Sequence, residues 1–216
     1  MARTLRSPTR KLTNRGPFPR VMGHFRSPKA DIDPLVFDSQ ASLFLLLYLE
    51  HRRNVQKIAF EPEVHWFEAT DDRKAVVGNP DALAILDTGE LEWYEAKYSR
   101  ESLRDKDRDK LALLASHLSA SGESHTIIFG EDLRRDGFIQ TVLLLRPFGL
   151  YSIRAKIADR ACAALAGFGA ANLEVWRSRA YTKGISVTML YHLLYHQRLP
   201  LIYETVIPVE LLPCRV

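Results

Sequence analysis

The chain of 216 residues has only two cysteines, Cys162 and Cys214, far apart and without C-x-x-C spacing. Disulfide scaffolds and structural zinc sites are therefore not expected, and a reducing cytoplasm suits the composition. Long apolar runs are lacking too. The richest, "LFLLLYL" at Leu43–Leu49, is far short of the roughly 20 residues that span a bilayer, and no hydrophobic signal segment opens the sequence. No P-loop, G-x-S-x-G or G-x-G-x-x-G occurs, which leaves nucleotide hydrolysis and serine-hydrolase chemistry without support. Acidic residues are missing from the first 30 positions, although the net charge is only +4. That segment carries Arg3, Arg6, Arg10, Lys11, Arg15, Arg20, Arg26 and Lys29, broken by four prolines and without a helical period. A basic arm of this kind is a solvated tail, a neutraliser of nucleic-acid phosphates or, less well, an organellar presequence.

What is present reads as a mixed α/β chain. A helix is expected over Ser39–Arg53, opened by Asp38-Ser39. "VQKIAFEPEVHWFEA" alternates and predicts strand, turn at Pro62, and strand. "DALAILD" (Asp81–Asp87) is a short apolar strand, "DTG" a turn, and "ELEWYEAKYS" the return strand. Arg100–Ser119 reads as a helix whose first turns are charged, "HTIIFG" as a fully buried strand, and "EDLRRDGFIQTVLLLRPF" as one helix. A helix between two strands suggests a parallel crossover, hence a mixed sheet flanked by helices. After Pro147 come an alanine-rich helix, an amphipathic helix and short extended pieces, the order of a winged-helix module. The expected division is a basic arm over 1–30, an α/β domain over 31–148 and a winged-helix-like domain over 149–216.

The residues with chemistry cluster on the hairpin. Period-two alternation puts Trp93, Glu95 and Lys97 on one face of the return strand and Tyr94, Ala96 and Tyr98 on the other. Hairpin pairing carries Asp81 to Glu95 and Lys97. Two carboxylates with the Ala96 carbonyl between them are hard oxygen ligands suited to Mg²⁺ or Mn²⁺, and Lys97 can orient a water, hold a phosphate or serve as base. The same three charges can also be ordinary strand-end decoration, since D…E-x-K is a short pattern. The ordered context of Pro-Asp, tight hairpin, E-x-K, helix and strand is that of the PD-(D/E)xK nuclease core.

The chain further resembles the TnsA family, the endonuclease subunits of heteromeric transposases. "NVQKIAFEP", "NPDAL" and "YEAK" look like that family's successive strand motifs. "HTIIFGEDLRRDGFIQTVLLLRPF" is similar to the elements that follow its catalytic lysine, and the C-terminal part to its small helix-and-wing domain. The resemblance implies a restriction-endonuclease-like fold that cuts DNA at the 5′ ends of a mobile element. It also implies a TnsB-type transposase and a TnsC-type AAA+ ATPase as partners, Asp81 and Glu95 as metal ligands, and Lys97 as the catalytic lysine. The family's helix glutamate falls on Ser42, so Asp38, one turn earlier, is expected to substitute; Glu50 is more remote, and Glu61, on the strand beside the hairpin, is another possible acid. A weakened, purely structural or DNA-binding subunit, or a stand-alone restriction or repair nuclease, are the alternatives. Arg15, Arg20, Arg26, Lys29, Arg100 and Arg104 are the expected DNA contacts. Arg154, Lys156, Arg160, Arg177, Arg179 and Lys183, interleaved with Trp176 and Tyr181, suit DNA or protein. His192 and His196, spaced i, i+4, lack a third ligand nearby and fit a solvated or DNA-facing helix face better than zinc.

Overall fold

The computed structural model describes residues 21–62, 65–67, 76–78 and 80–203. The chain divides into two compact units, Met1–Asp132 and Leu133–Val216.

In the first unit, β1 (Gly23–Phe25) pairs antiparallel with β2 (Leu35–Phe37), and Ala30 bridges to Ile58. From residue 21 onward the expected arm is thus part of the fold, because Phe25 and Ser27 are buried. Helix α1 (Gln40–His51) starts where the Ser39 side chain accepts the Ser42 N–H at 3.0 Å. It is apolar on most sides, and Leu45, Leu46, Leu47 and Leu49 are completely buried, as a helix without a polar face requires. There follow β3 (Val55–Phe60), the antiparallel pair β4 (His65–Phe67) and β5 (Val76–Gly78), β6 (Ala82–Leu86), β7 (Leu91–Lys97), α2 (Asp105–Ala120) and β8 (Ser124–Phe129).

The main sheet has four strands in the order β3-β6-β7-β8. β3, β6 and β7 run antiparallel, and β8 is parallel to β7 across the α2 crossover. Gly89, with φ at +87°, supplies the left-handed residue of the β6–β7 turn. Helices cover both faces. α1 meets the Tyr94 face, with the Tyr48 and Tyr94 rings 6.3 Å apart. At its C-terminal end Arg52 binds Glu92 at 2.6 Å and the Tyr94 hydroxyl. α2 meets the Trp93 face, where Leu114 and Leu118 pack with Ala59, Leu83 and Trp93. β8 is not the fully buried strand expected: as the sheet edge it leaves Ser124 and Thr126 exposed.

The helix expected over Glu131–Phe148 is two, α3 (Gly130–Arg135) and α4 (Phe138–Gly149). Gly137 between them has φ at +69°, a conformation that ends α3. α4 belongs with the C-terminal helices, which moves the unit boundary from the expected 148/149 to 132/133. Its buried Leu145 joins the core of α5 (Ala155–Ala164), α6 (Leu173–Thr182) and α7 (Val187–Tyr195), with Trp176 and Leu190 fully buried. A Cβ on Gly149 would come within 1.9 Å of the Tyr195 ring, so the close crossing of α4 and α7 needs glycine there. α6 was not expected as a helix, since only Trp176 and Ala180 of its ten residues are buried and no apolar stripe announces it. The expected extended pieces beyond Tyr203 lie outside the described residues.

Candidate active site

The site forms where β6 begins and β7 ends. Pairing places Ala82 opposite Tyr94, so Asp81 stands across from Glu95, just beyond the last paired residues. There the Asp81 side chain takes up the strand's next donor: its Oδ2 accepts the Ala96 N–H at 2.7 Å. Glu95 and Lys97 share the opposite-to-Tyr94 face and form an ion pair, Nζ to Oε1 2.6 Å. The Glu95 side chain keeps 11% of its surface and Lys97 29%. Glu61, at the end of β3 with φ at +49°, donates its N–H to the Asp81 carbonyl at 2.7 Å.

Burial, and next the Glu95 charge, push the Asp81 carboxyl up to about 7; the Ala96 N–H and Lys97 pull it back, and Glu61 pushes it further up. Asp81 therefore gives up its proton with difficulty near neutral pH, because a second carboxylate faces it in a partly desolvated setting. Cationic charge placed between the two acids would relieve this. Among the described residues no group of three or more His, Cys, Asp or Glu side chains could hold a metal ion. The pair of carboxylates nonetheless fits one hard divalent cation completed by backbone oxygen and water, as is usual for Mg²⁺.

α2 roofs the Glu95 face. A cavity of about 60 Å³ is lined by Glu95, Lys97, Asp107, Lys110, Leu111 and Leu114, room for a few waters. Asp107 is the acid that a helix brings to this face. It accepts from Arg104 Nε at 2.8 Å, and Arg104 first, with Lys97 among the lesser causes, holds its carboxyl below the ordinary range. Sequence reasoning missed it, although a signal existed: 107, 111, 114 and 118 share the helical stripe that faces the sheet.

The other expected helix acids are placed differently. α1 lies on the Tyr94 face, so it is not the helix that borders Glu95 and Lys97. Ser42 is buried, its hydroxyl 2.7 Å from that of Ser39. Asp38 precedes the N-cap and is outside the helix, so the expected one-turn relation to Ser42 does not exist. Glu50 is buried on α1, where its charge acts on Lys29.

The expected DNA-contacting cations are largely occupied within the protein. Arg15 and Arg20 lie outside the described residues, and Arg26 is exposed after β1. Lys29 donates to the Arg52 carbonyl at 2.5 Å, capping the C-terminus of α1, and burial lowers its pKa. Arg100 binds Glu131 at 2.9 Å and Asp132 at 2.7 Å while lying over the Phe129 ring. Arg104 is the partner of Asp107. In the C-terminal unit Arg177 binds the Tyr191 hydroxyl, and Arg179 lies over the Phe168 and Trp176 rings, whereas Arg154, Lys156, Arg160 and Lys183 are exposed. His192 is buried rather than solvated. Its Nδ1 faces the Phe148 carbonyl and the His196 Nε2 the Gly149 carbonyl, both at 3.1 Å, so the two imidazoles cap α4.

No family model matches the sequence, and no curated protein matches it either.

Proposed function

We propose that the protein is a metal-dependent DNA endonuclease of the PD-(D/E)xK type, acting as the TnsA-like subunit of a heteromeric transposase and cutting at the 5′ ends of the element. One observation carries the reading: the β6–β7 register that sets Asp81 against Glu95 and the Ala96 amide, with Lys97 beside Glu95 at a small cavity. Strand-end charges left to solvent would not show a carboxyl raised to about 7 by burial and a second acid.

Asp81 and Glu95 would hold Mg²⁺ or Mn²⁺, with the Ala96 carbonyl between them. Such an ion, when bound, acidifies water and offsets charge developing on a phosphate. With Glu95 so engaged, the Lys97 ammonium would be freer of its ion pair with Glu95. It can then donate to a non-bridging phosphate oxygen or orient the attacking water. Leu111 and Leu114 form the apolar part of the cavity beside it. Water attacks the phosphodiester in line, and the departing oxygen leaves as the strand's new end without a covalent enzyme intermediate.

On this reading α5, α6 and α7 belong to a winged-helix-like domain, and a TnsB-type transposase and a TnsC-type ATPase complete the assembly in the bacterial cytoplasm. α6 and α7 are joined through Gly184, at φ +65°, as in a helix-turn-helix. No helix among the described residues is long and apolar enough to cross a membrane.

A second reading is favoured by Ser42, buried and bonded to Ser39 where the family carries an acid: a structural or DNA-binding subunit on an eroded nuclease fold. Substitution to alanine at Asp81, Glu95 or Lys97 decides between them. Cleavage of transposon-end DNA by the assembled transposase should fall by roughly 10²-fold or more for each, with the circular dichroism spectrum unchanged. Wild-type cleavage by the triple variant would rule the site out.

A further inference from the structure

We infer that Lys110 is a second substrate-binding cation of this site, contacting a non-bridging oxygen of a DNA backbone phosphate at the mouth of the cavity. The inference rests on the nuclease reading and extends it to α2, which no motif of the resemblance covers.

Three observations converge on this residue. Lys110 lines the same cavity as Glu95 and Lys97, one turn after Asp107 on the face of α2 turned to the sheet. It is exposed, and among the described residues it makes no hydrogen bond or ion pair. Four neighbouring cations are engaged by acids, and Lys106, although exposed, does not line the cavity. Lys97 is held by Glu95 at 2.6 Å, Arg104 by Asp107 at 2.8 Å, Arg108 by Asp105 at 3.4 Å, and Arg100 by Glu131 and Asp132.

Charge favours such a group. Of the charged residues that line the cavity, Glu95 pairs with Lys97 and Asp107 with Arg104, which leaves Lys110 as the lining cation without an acid. A cation at the rim adds to the attraction of a polyanion. Lys110 stands on a helix fixed by Leu111 and Leu114, both buried, and a long stem lets an ammonium extend to solvent. A point charge on a flexible stem suits phosphate binding that is indifferent to base sequence.

The test uses the full chain in a Lys97→Ala background, so that a mixed-sequence duplex is bound in Mg²⁺ without being cut. Adding Lys110→Gln should weaken binding roughly three- to tenfold and lower the slope of log K against log salt by about 0.9, the mark of one lost phosphate contact. Lys110→Arg should restore both. In otherwise wild-type protein within the assembled transposase, Lys110→Gln should raise KM and leave kcat nearly unchanged. Unchanged affinity and salt slope, with Lys97→Ala still inactive, would overturn the role of Lys110 alone. Cleavage by Lys97→Ala at the wild-type rate would overturn the nuclease reading, and this inference with it.

Discussion

α1 buries leucines around most of its circumference, whereas α2 buries only Leu111, Leu114 and Leu118 and begins with six charged residues in succession, Asp105–Lys110. Both pack on β7, from opposite faces. The apolar helix meets Tyr94, and the charged one meets Trp93, Glu95 and Lys97. A helix that is apolar on most sides has no polar group to lend to a site; it serves as core. A helix with one narrow stripe can anchor by that stripe and hold ionic side chains at its margin. The polar face of this sheet is therefore served by α2, and the acid expected from α1 has no counterpart there.

Deleting core side chains on the two helices should separate their roles most strongly. Leu46→Ala and Leu114→Ala each remove a buried leucine and should cost about 2–5 kcal/mol in denaturant unfolding. Only Leu114→Ala should also reduce cleavage per folded molecule, because Leu114 lines the cavity of Glu95 and Lys97. Equal loss from both would erase the distinction between the faces.

Ser42→Glu sharpens the same contrast with a smaller effect. A glutamate in this buried position, in place of a hydroxyl that bonds Ser39, should destabilise the fold by about 1–3 kcal/mol. It should give no gain in cleavage; a large gain would show that α1 does supply the site with an acid.

Asp81→Asn addresses the chemical face through pH. The native carboxyl is raised to about 7 from an ordinary 3.8. Between those values the native state keeps a proton that the unfolded chain has released, so wild-type stability falls as pH rises and levels off above about 7. The asparagine variant lacks this loss. Its melting temperature should exceed that of wild type at pH 8 by more than at pH 5. Mg²⁺ should narrow the gap at pH 8 by stabilising wild type alone. A gap independent of pH would mean that Asp81 is not a strained acid.

Some features were open to reading because they are local. The β6–β7 hairpin spans a short turn, and period-two alternation within a strand needs no knowledge of the rest of the chain; together they anticipated the register that sets Asp81 across from Glu95 and pairs Glu95 with Lys97. The β7–α2–β8 crossover followed from element order, and α1 from its cap and breaker-free run. Elements without a pattern were harder. α6 has too few buried positions to show a stripe, and Gly137 inside an apolar-rich stretch did not announce that it would split a helix.

Sequence by itself determined which three charges meet, since hairpin pairing and alternation follow from neighbours along the chain. Tertiary structure alone decided which helix covers them, bringing Asp107 and Lys110 in and leaving Ser42 on α1 and Asp38 ahead of it. It also decided that Lys29, Arg100 and Arg104 are used within the protein, and that Asp81 holds its proton to about 7. The reason is physical: the face a helix chooses, the partner a guanidinium finds and the solvent a carboxyl loses all depend on groups distant in sequence that packing brings together.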